Sequence, residues 1–136
     1  MTMAELAKTI ARAREIGIET IACADSLAEG TAIAAFRPDI LLCEPTDLIG
    51  TGKTADDSYT TAIVAKIRTI DPGIGIMIAS GITTADDVYR VVRLGADGSG
   101  ATSGILSAPD PAKRILEMAE AIVRAAEVRE SQGSAA

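Results

Sequence analysis

The sequence predicts an α/β fold built on a parallel sheet, and two observations support that prediction. Apolar patterns of strand length alternate with patterns of helix length, which gives one helix followed by four strand–helix units. Such alternation is typical of parallel strands joined by right-handed crossovers. The third strand pattern, residues 74–79, is apolar at nearly every position, as in a parallel strand covered on both faces. We expect one domain over residues 1–129 and a disordered tail over 130–136.

Each helix is predicted from an apolar stripe and from signals at its ends. Ser26 and Glu29 have capping-box spacing, as do Thr84 and Asp87, and Gly17 is a typical helix stop. The predicted helices cover residues 3–16, 26 to about 36, 56–70, 84–95 and 111 onward. Each of the last four follows a predicted strand, as the strand–helix pattern requires.

The predicted strands end in small or acidic residues. These strands cover residues 20–24, 39–43, 74–79 and 97–101. Because the carboxyl ends of parallel strands meet at one edge, we expect Glu44, Ser80-Gly81 and residues 102–104 to gather there. Turns made of small residues let backbone N–H groups approach an anion closely. The same small residues also occur in turns that bind nothing. Asp25 also follows a strand and is expected to satisfy N–H groups of the next helix.

Composition limits the classes of partner. Apolar residues make up 48% of the chain and aromatic residues only 2%, so the core must consist of Ala, Ile, Leu and Val. A net charge of −6 without a basic cluster argues against nucleic acid and anionic membranes as partners. No apolar stretch approaches the ~20 residues of a membrane span, and the first residues lack a signal-peptide core, so a cytoplasmic location is expected. Cys23 and Cys43 are expected to be small buried residues in a reducing compartment.

The most informative segment is residues 40–52, ILLCEPTDLIGTG. A buried strand ends there in Glu44, and Pro45 restricts that glutamate to an extended backbone. A carboxylate at the mouth of a pocket suits a general base, and a lid that excludes water suits a reactive intermediate. Gly50 and Gly52 can absorb the backbone changes of a closing lid. Glu-Pro pairs alone are also common in surface turns, so the whole segment is needed for this interpretation.

A phosphate-cradling P-loop is a competing interpretation of Gly52-Lys53-Thr54. The first glycine of that motif is replaced by Asp47, whose charge would repel phosphate. No later apolar strand supplies a magnesium-binding aspartate that lacks another role, and the dinucleotide motif GxGxxG is absent from the sequence. We therefore set nucleotide hydrolysis and dinucleotide binding aside.

Residues 40–52, together with 79–84 and 102–104, resemble the triosephosphate isomerase family in its short archaeal-type form. The resemblance covers about residues 5–126 and implies a (β/α)₄ half of a TIM barrel with an extra N-terminal helix. The implied site consists of the catalytic base Glu44, the lid residue Ile49, the lid hinge Gly50, Thr51 and Gly52, and the phosphate-binding positions Gly81, Thr102 and Ser103. The implied reaction interconverts dihydroxyacetone phosphate and glyceraldehyde 3-phosphate in glycolysis and gluconeogenesis, with a small phosphorylated substrate and neither metal nor organic cofactor.

The resemblance also implies that this chain alone is inactive. The family uses a lysine and a neutral histidine as electrophiles, but the chain has no histidine and its four lysines match no catalytic position. Its 136 residues fall short of the ~200 to 250 of a complete barrel. We expect an isomerase that lacks its N-terminal half, through an incomplete gene prediction or because another chain provides it. The alternative is a non-catalytic half-barrel that binds phosphorylated metabolites and self-associates as a homodimer.

Two segments depart from the family pattern. Thr46-Asp47 replaces the usual Pro-Glu of the archaeal-type lid, which we expect to change lid kinetics rather than chemistry. Gly98-Ser99-Gly100 stands where the family has bulky apolar residues. Because glycine weakens a strand and offers no side chain for packing, the last strand is expected to pair poorly.

Overall fold

The computed structural model describes residues 1–46 and 55–133. Its helices are α1 (Met3–Glu15), α2 (Leu27–Ala34), α3 (Asp57–Ile70), α4 (Ala85–Arg93), α5 (Ser103–Leu106) and α6 (Pro111–Gly133). Its strands are β1 (Ile21–Ala24), β2 (Ile40–Cys43), β3 (Gly75–Ile78) and β4 (Gly98–Ser99). The predicted order of one helix and four strand–helix units is confirmed, with the short α5 as an addition.

The four strands form one parallel sheet in the order β1-β2-β3-β4. The register places Cys23 beside Leu42, Leu42 beside Met77, and Met77 beside Gly98. Sequential parallel strands joined by helices are the repeating unit of a TIM barrel. The predicted (β/α)₄ half-barrel is therefore confirmed.

Helices cover one face of this sheet. Alternate strand residues such as Leu41, Cys43, Ile76 and Ile78 point toward them and are at most 1% exposed. The helices contribute Ile33, Ile63, Ile67, Val88, Val91, Met118, Ala121 and Ala125 to the same buried cluster. As the composition predicted, aliphatic residues form this core almost entirely.

The opposite face of the sheet, which we call the open face, carries the other half of each strand. Ile21 is 59% exposed, Cys23 is exposed, and Leu42 and Met77 are partly exposed. The prediction that Cys23 is buried is therefore wrong, whereas Cys43 is buried as expected. Coverage of the third strand on both faces is also not found, because no layer of described residues lies on the open side.

The helix ends agree with the predicted signals at most positions. Thr84 and Asp87 form a capping box, and Gly17 and Gly95 have positive φ values of 73° and 114° directly after helices. The expected capping role of Asp25 is wrong: Ser26 caps α2 by accepting from the amide of Glu29, and no described helix N–H donates to the Asp25 carboxylate.

The last two elements differ from their predicted bounds. β4 has only two residues, in agreement with the weak pairing expected of a glycine-rich strand. Helix α6 continues to Gly133, so that residues 130–133 of the predicted tail are helical. None of the helices in the described ranges has both the length and the apolar character needed to cross a membrane.

Candidate active site

A cavity of about 330 Å³ opens on the open face at the carboxyl ends of the strands. It is lined by Ile21, Leu42, Glu44, Met77, Ala79, Ser80, Gly81, Ile82, Gly100, Ala101, Thr102 and Ser103. Four predicted site residues, Glu44, Gly81, Thr102 and Ser103, therefore lie around one cavity. Its other walls are mainly apolar, which is typical of sites for small ligands.

Glu44 follows β2 directly, and its backbone is held by the neighbouring strands. Its amide donates to the carbonyl of Ala24 at 2.8 Å, and the amide of Ala79 donates to the carbonyl of Cys43 at 3.0 Å. Its side chain is partly exposed beside Leu42 and Met77 in the cavity lining. A carboxylate on a rigid strand end, facing an open cavity, can accept a proton from a bound molecule.

Ser80 connects the end of β3 to the residue that follows Glu44. Its hydroxyl donates to the carbonyl of Pro45 at 2.9 Å, and the side chain is only 5% exposed. Its φ of 77° is unusual for a residue with a Cβ atom. The sequence placed Ser80 at a strand end but gave no sign of this hydrogen bond, because the two residues are 35 positions apart.

The turns after β3 and β4 offer backbone donors to the cavity. Gly81 has a φ of 70°, which favours glycine. Within the described residues, no protein acceptor forms a hydrogen bond with the amides of Gly81, Thr102 or Ser103. Free N–H groups at glycine-bearing turns suit an anion such as a phosphate ester.

The predicted lid residues, Ile49, Gly50, Thr51 and Gly52, lie outside the described residues, as do Asp47 and Lys53.

The thiol of Cys43 lies on the covered face of β2, directly before Glu44. Burial raises its pKa to about 12, with a smaller contribution from the nearby Cys23 thiol. The thiol therefore stays protonated at neutral pH and is a poor nucleophile. Burial also raises the pKa of Tyr59 to about 12. Among the described residues, no three His, Cys, Asp or Glu side chains are grouped as metal ligands would be.

The comparison with protein families agrees with this geometry. The sequence model of the triosephosphate isomerase family matches residues 2–122. The chain belongs to the triosephosphate isomerase family. The family resemblance inferred from residues 40–52, 79–84 and 102–104 is thereby confirmed.

Curated relatives named triosephosphate isomerase come from several archaea. The chain is 35% identical to the protein of Metallosphaera sedula over 130 residues, which cover 93% of this chain and 57% of that protein. It is 33% identical to the protein of Sulfolobus acidocaldarius, with coverages of 92% and 55%. For Methanobrevibacter smithii the identity is 32%, with coverages of 87% and 54%. The chain thus spans about half the length of the curated relatives it matches.

Solved structures support the fold. A chain in the crystal structure of the Amycolatopsis orientalis BexX/CysO complex superposes with a TM-score of 0.72 at 19% identity, covering 96% of this chain and 52% of that one. A nitroalkane oxidase from Streptomyces ansochromogenes gives a TM-score of 0.54 at 22% identity, over 71% of this chain and 30% of that one. In both cases this fold corresponds to only part of a larger chain.

Proposed function

We propose that this chain provides the general base and the phosphate-binding turns of a triose-phosphate isomerase, an enzyme that interconverts dihydroxyacetone phosphate and glyceraldehyde 3-phosphate. One observation carries the proposal: Glu44 and the free backbone donors at Gly81, Thr102 and Ser103 line the same cavity. That combination suits a substrate with a phosphate group at one end and an acidic C–H bond at the other. The family supports the same reaction.

Glu44 is the base in the proposed mechanism. Its carboxylate takes the proton from the carbon next to the substrate carbonyl, which gives an enediolate, and returns that proton to the former carbonyl carbon. The proton of the substrate hydroxyl moves to the former carbonyl oxygen through the electrophilic donors of the other half. The donors at Gly81 and Ser103 hold the phosphate and fix the position of the reacting carbons. Ile49 closes over the substrate on the hinge formed by Gly50, Thr51 and Gly52, which excludes water.

The reaction also needs donors for the oxygen that becomes negative. The chain contains no histidine, and Lys8, Lys66 and Lys113 are exposed and lie outside the cavity lining. A preorganised donor of this kind is worth ~10² to 10³ in rate. We therefore propose that the missing donors come from an N-terminal half-barrel, in the same polypeptide or in another, that covers the open face. The chain alone is then inactive.

The proposed setting is the cytoplasm, in glycolysis and gluconeogenesis. The proposed enzyme needs no metal or organic cofactor, because the glutamate and the electrophilic donors suffice for proton transfer. Partners are the phosphorylated substrate and the complementary half-barrel, with self-association of this chain where that half is absent.

Activity assays with and without a complementary half test this proposal. The purified chain should show no isomerase activity above its Glu44→Gln variant. Adding a matching N-terminal half with its lysine and histidine should restore activity, and Glu44→Gln should abolish it. Glu120→Gln is the control: it replaces the same type of residue in the same way, at an exposed position on α6, and should leave the restored activity unchanged.

Two results would contradict the proposal. Efficient interconversion by the isolated chain would show that the other half is not required. A completed barrel that folds and binds substrate but stays inactive would show that Glu44 is not the base.

The second candidate function is a non-catalytic half-barrel that binds phosphorylated metabolites. Two observations favour this function: the turns have free backbone donors, and the chain has no histidine to act as an electrophile. NMR titration with glycerol phosphate should shift the amides of Gly81 and Ser103 under both hypotheses. Binding should be weak, because the open face leaves much of the ligand in water. The absence of shifts at millimolar ligand would contradict both, whereas binding by an inactive completed barrel would favour this second candidate.

A further inference from the structure

Arg114, on the first turns of α6, contacts the backbone of two separate turns. Its guanidinium Nη1 donates to the carbonyl oxygen of Thr83, in the turn after β3. The same nitrogen lies 3.5 Å from the carbonyl oxygen of Gly104, in α5, the single helical turn after β4. The side chain is 25% exposed, and its Nε lies 3.5 Å from a carboxylate oxygen of Glu117. A single side chain thus connects the two turns that supply the candidate phosphate donors.

These two turns also touch each other directly. A Cβ atom added to Gly104 would lie 2.6 Å from the Cα of Thr83 and would collide with the carbonyl of Ile82. Only glycine permits this approach. Ile82 lines the candidate active site on one side of the contact, and Thr83, Gly104 and Arg114 line a second hollow on the other side. Ser103 lines both. The contact therefore forms a shared wall between the substrate cavity and Arg114.

Both peptide groups that Arg114 contacts are held at their opposite ends as well. The amide of Thr84, in the same peptide group as the Thr83 carbonyl, donates to Oδ2 of Asp87 at 2.9 Å. The amide of Ile105, in the same peptide group as the Gly104 carbonyl, donates to the carbonyl of Thr102 at 3.2 Å. With Arg114 on the oxygen side, neither peptide plane can rotate freely.

We propose that Arg114 is a positioning residue that fixes the spacing between the two phosphate-binding turns. The inference rests on the proposed function, because it assigns Arg114 a role in the same site. The guanidinium suits this task because the two N–H groups of Nη1 are fixed in the plane of the group, whereas the N–H groups of a lysine ammonium rotate on a flexible stem. Arg114 does not line the cavity and acts on the ligand only through the two backbone turns.

The test compares Arg114→Met with Lys113→Met in the full chain. Lys113 is the adjacent residue, and its side chain is 71% exposed and lies 3.8 Å from the same Glu117. Among the described residues, it forms no hydrogen bond with either turn. Each change removes one positive charge near the same carboxylate. We expect Arg114→Met to weaken the binding of glycerol phosphate about tenfold, measured by NMR titration, because charge-assisted hydrogen bonds to the two carbonyls are lost. Lys113→Met should bind as the wild type does.

A measurement without ligand separates this proposal from the proposed function. In Arg114→Met, hydrogen exchange at the amides of Thr84 and Ile105 should become about tenfold faster, while exchange in β2 stays unchanged. A merely stabilising role of Arg114 would instead accelerate exchange in β2 as well. If the wild type does not bind glycerol phosphate, the proposed function fails, yet the exchange comparison still decides whether Arg114 holds the turns.

The conservative variant Arg114→Lys keeps the test decisive if Arg114→Met fails to fold. It should show affinity and exchange rates between those of the wild type and Arg114→Met, since a positively charged donor group remains but on a more flexible stem. If the folded Arg114 variants match Lys113→Met in both affinity and exchange, the proposal is overturned. It is also overturned if the exchange rates at Thr84 and Ile105 rise only in step with those of β2.

Discussion

The covered and open faces of the sheet carry similar side chains in different surroundings. Leu41 points toward the helices and is 0% exposed, while the next residue, Leu42, points into the cavity and is partly exposed. The same alternation holds in β3, where Ile76 is buried and Met77 is not. The helices make the covered face a complete core. The open face combines apolar side chains with the candidate site, as expected of the inner wall of a barrel.

The last strand does not repeat this contrast, because both of its residues are partly exposed and neither carries a large side chain. On the covered side, the hydroxyl of Ser99 donates to the carbonyl of Ile78 at 2.8 Å. On the open side stands Gly98, where an added Cβ would lie 3.6 Å from a carbon of Met77. The buried core thus lies on one face and the candidate site on the other, so substitutions on the two faces should have separable effects.

The largest expected difference comes from truncating the two adjacent leucines of β2. Leu41→Ala removes a fully buried side chain and should lower the free energy of unfolding by ~2 to 5 kcal/mol. Leu42→Ala should cost less than about 1 kcal/mol in the isolated chain, because its side chain is already partly in water. Urea unfolding followed by circular dichroism measures both values. Equal losses would mean that the open face is covered in solution.

The second prediction is that the open face becomes covered through self-association, because exposed apolar surface and unpaired strand edges favour association. We expect the isolated chain to self-associate or to bind hydrophobic dyes. Met77→Glu, on the open face, should reduce both, as measured by light scattering and dye fluorescence. The control is Leu116→Glu, which adds the same negative charge at a 65% exposed position on α6.

A monodisperse wild-type monomer that binds no dye would contradict this prediction. If Leu116→Glu disperses the chain and Met77→Glu does not, the associating surface lies on α6 rather than on the open face.

The comparison of the two faces also explains what the sequence could predict. The order of elements followed from local patterns: apolar periodicity, capping pairs and glycine stops are encoded within a few residues of one another. The same patterns indicated that Glu44, Gly81 and Ser103 would meet, because the carboxyl ends of parallel strands share an edge.

Features that depend on distant contacts were not predictable in this way. The sequence pattern of β3 gave no sign that only one of its faces is covered, because an apolar run does not specify its neighbours. The bond from Ser80 to Pro45 joins residues 35 positions apart, and that from Arg114 to Thr83 joins residues 31 apart. Both connect segments whose relative positions are set by the whole sheet. The sequence predicted that Ser26 begins helix α2. Whether Ser26 or Asp25 accepts from the first helix N–H groups depended on the local backbone, which the sequence pattern does not specify.

The third prediction addresses the weak edge of the open face. Gly98→Val should stabilise the chain by ~0.5 to 1 kcal/mol, because valine favours strands and an added Cβ would make ordinary contact with Met77. Gly104→Val should be strongly destabilising, because a side chain there collides with the backbone of Ile82 and Thr83. Thermal unfolding of the two variants measures the difference. Destabilisation by Gly98→Val would show that this edge needs its glycine for a close approach by another segment.

The smallest expected effect is on pH dependence and concerns Asp87, in the first turn of α4. Although burial alone would raise the pKa of Asp87, hydrogen bonds from the backbone and hydroxyl groups of Thr83 and Thr84 hold it below its usual value. A carboxyl group with a lower pKa in the folded state stabilises the fold above its unfolded pKa of ~3.9. That contribution disappears as the pH falls through the lower, folded pKa.

Asp87→Asn should therefore cost stability near pH 6, and the difference from the wild type should shrink as the pH approaches 3. Asparagine keeps an acceptor for the threonine amides but does not titrate, so the pH-dependent part of the difference reports the charge of Asp87. Urea unfolding at pH 6, 4 and 3 measures it, with Asp86→Asn, at an exposed position in the same helical turn, as the control. A difference that stays constant with pH would mean that the charge of Asp87 contributes nothing to stability and that this residue acts only as a neutral hydrogen-bond acceptor.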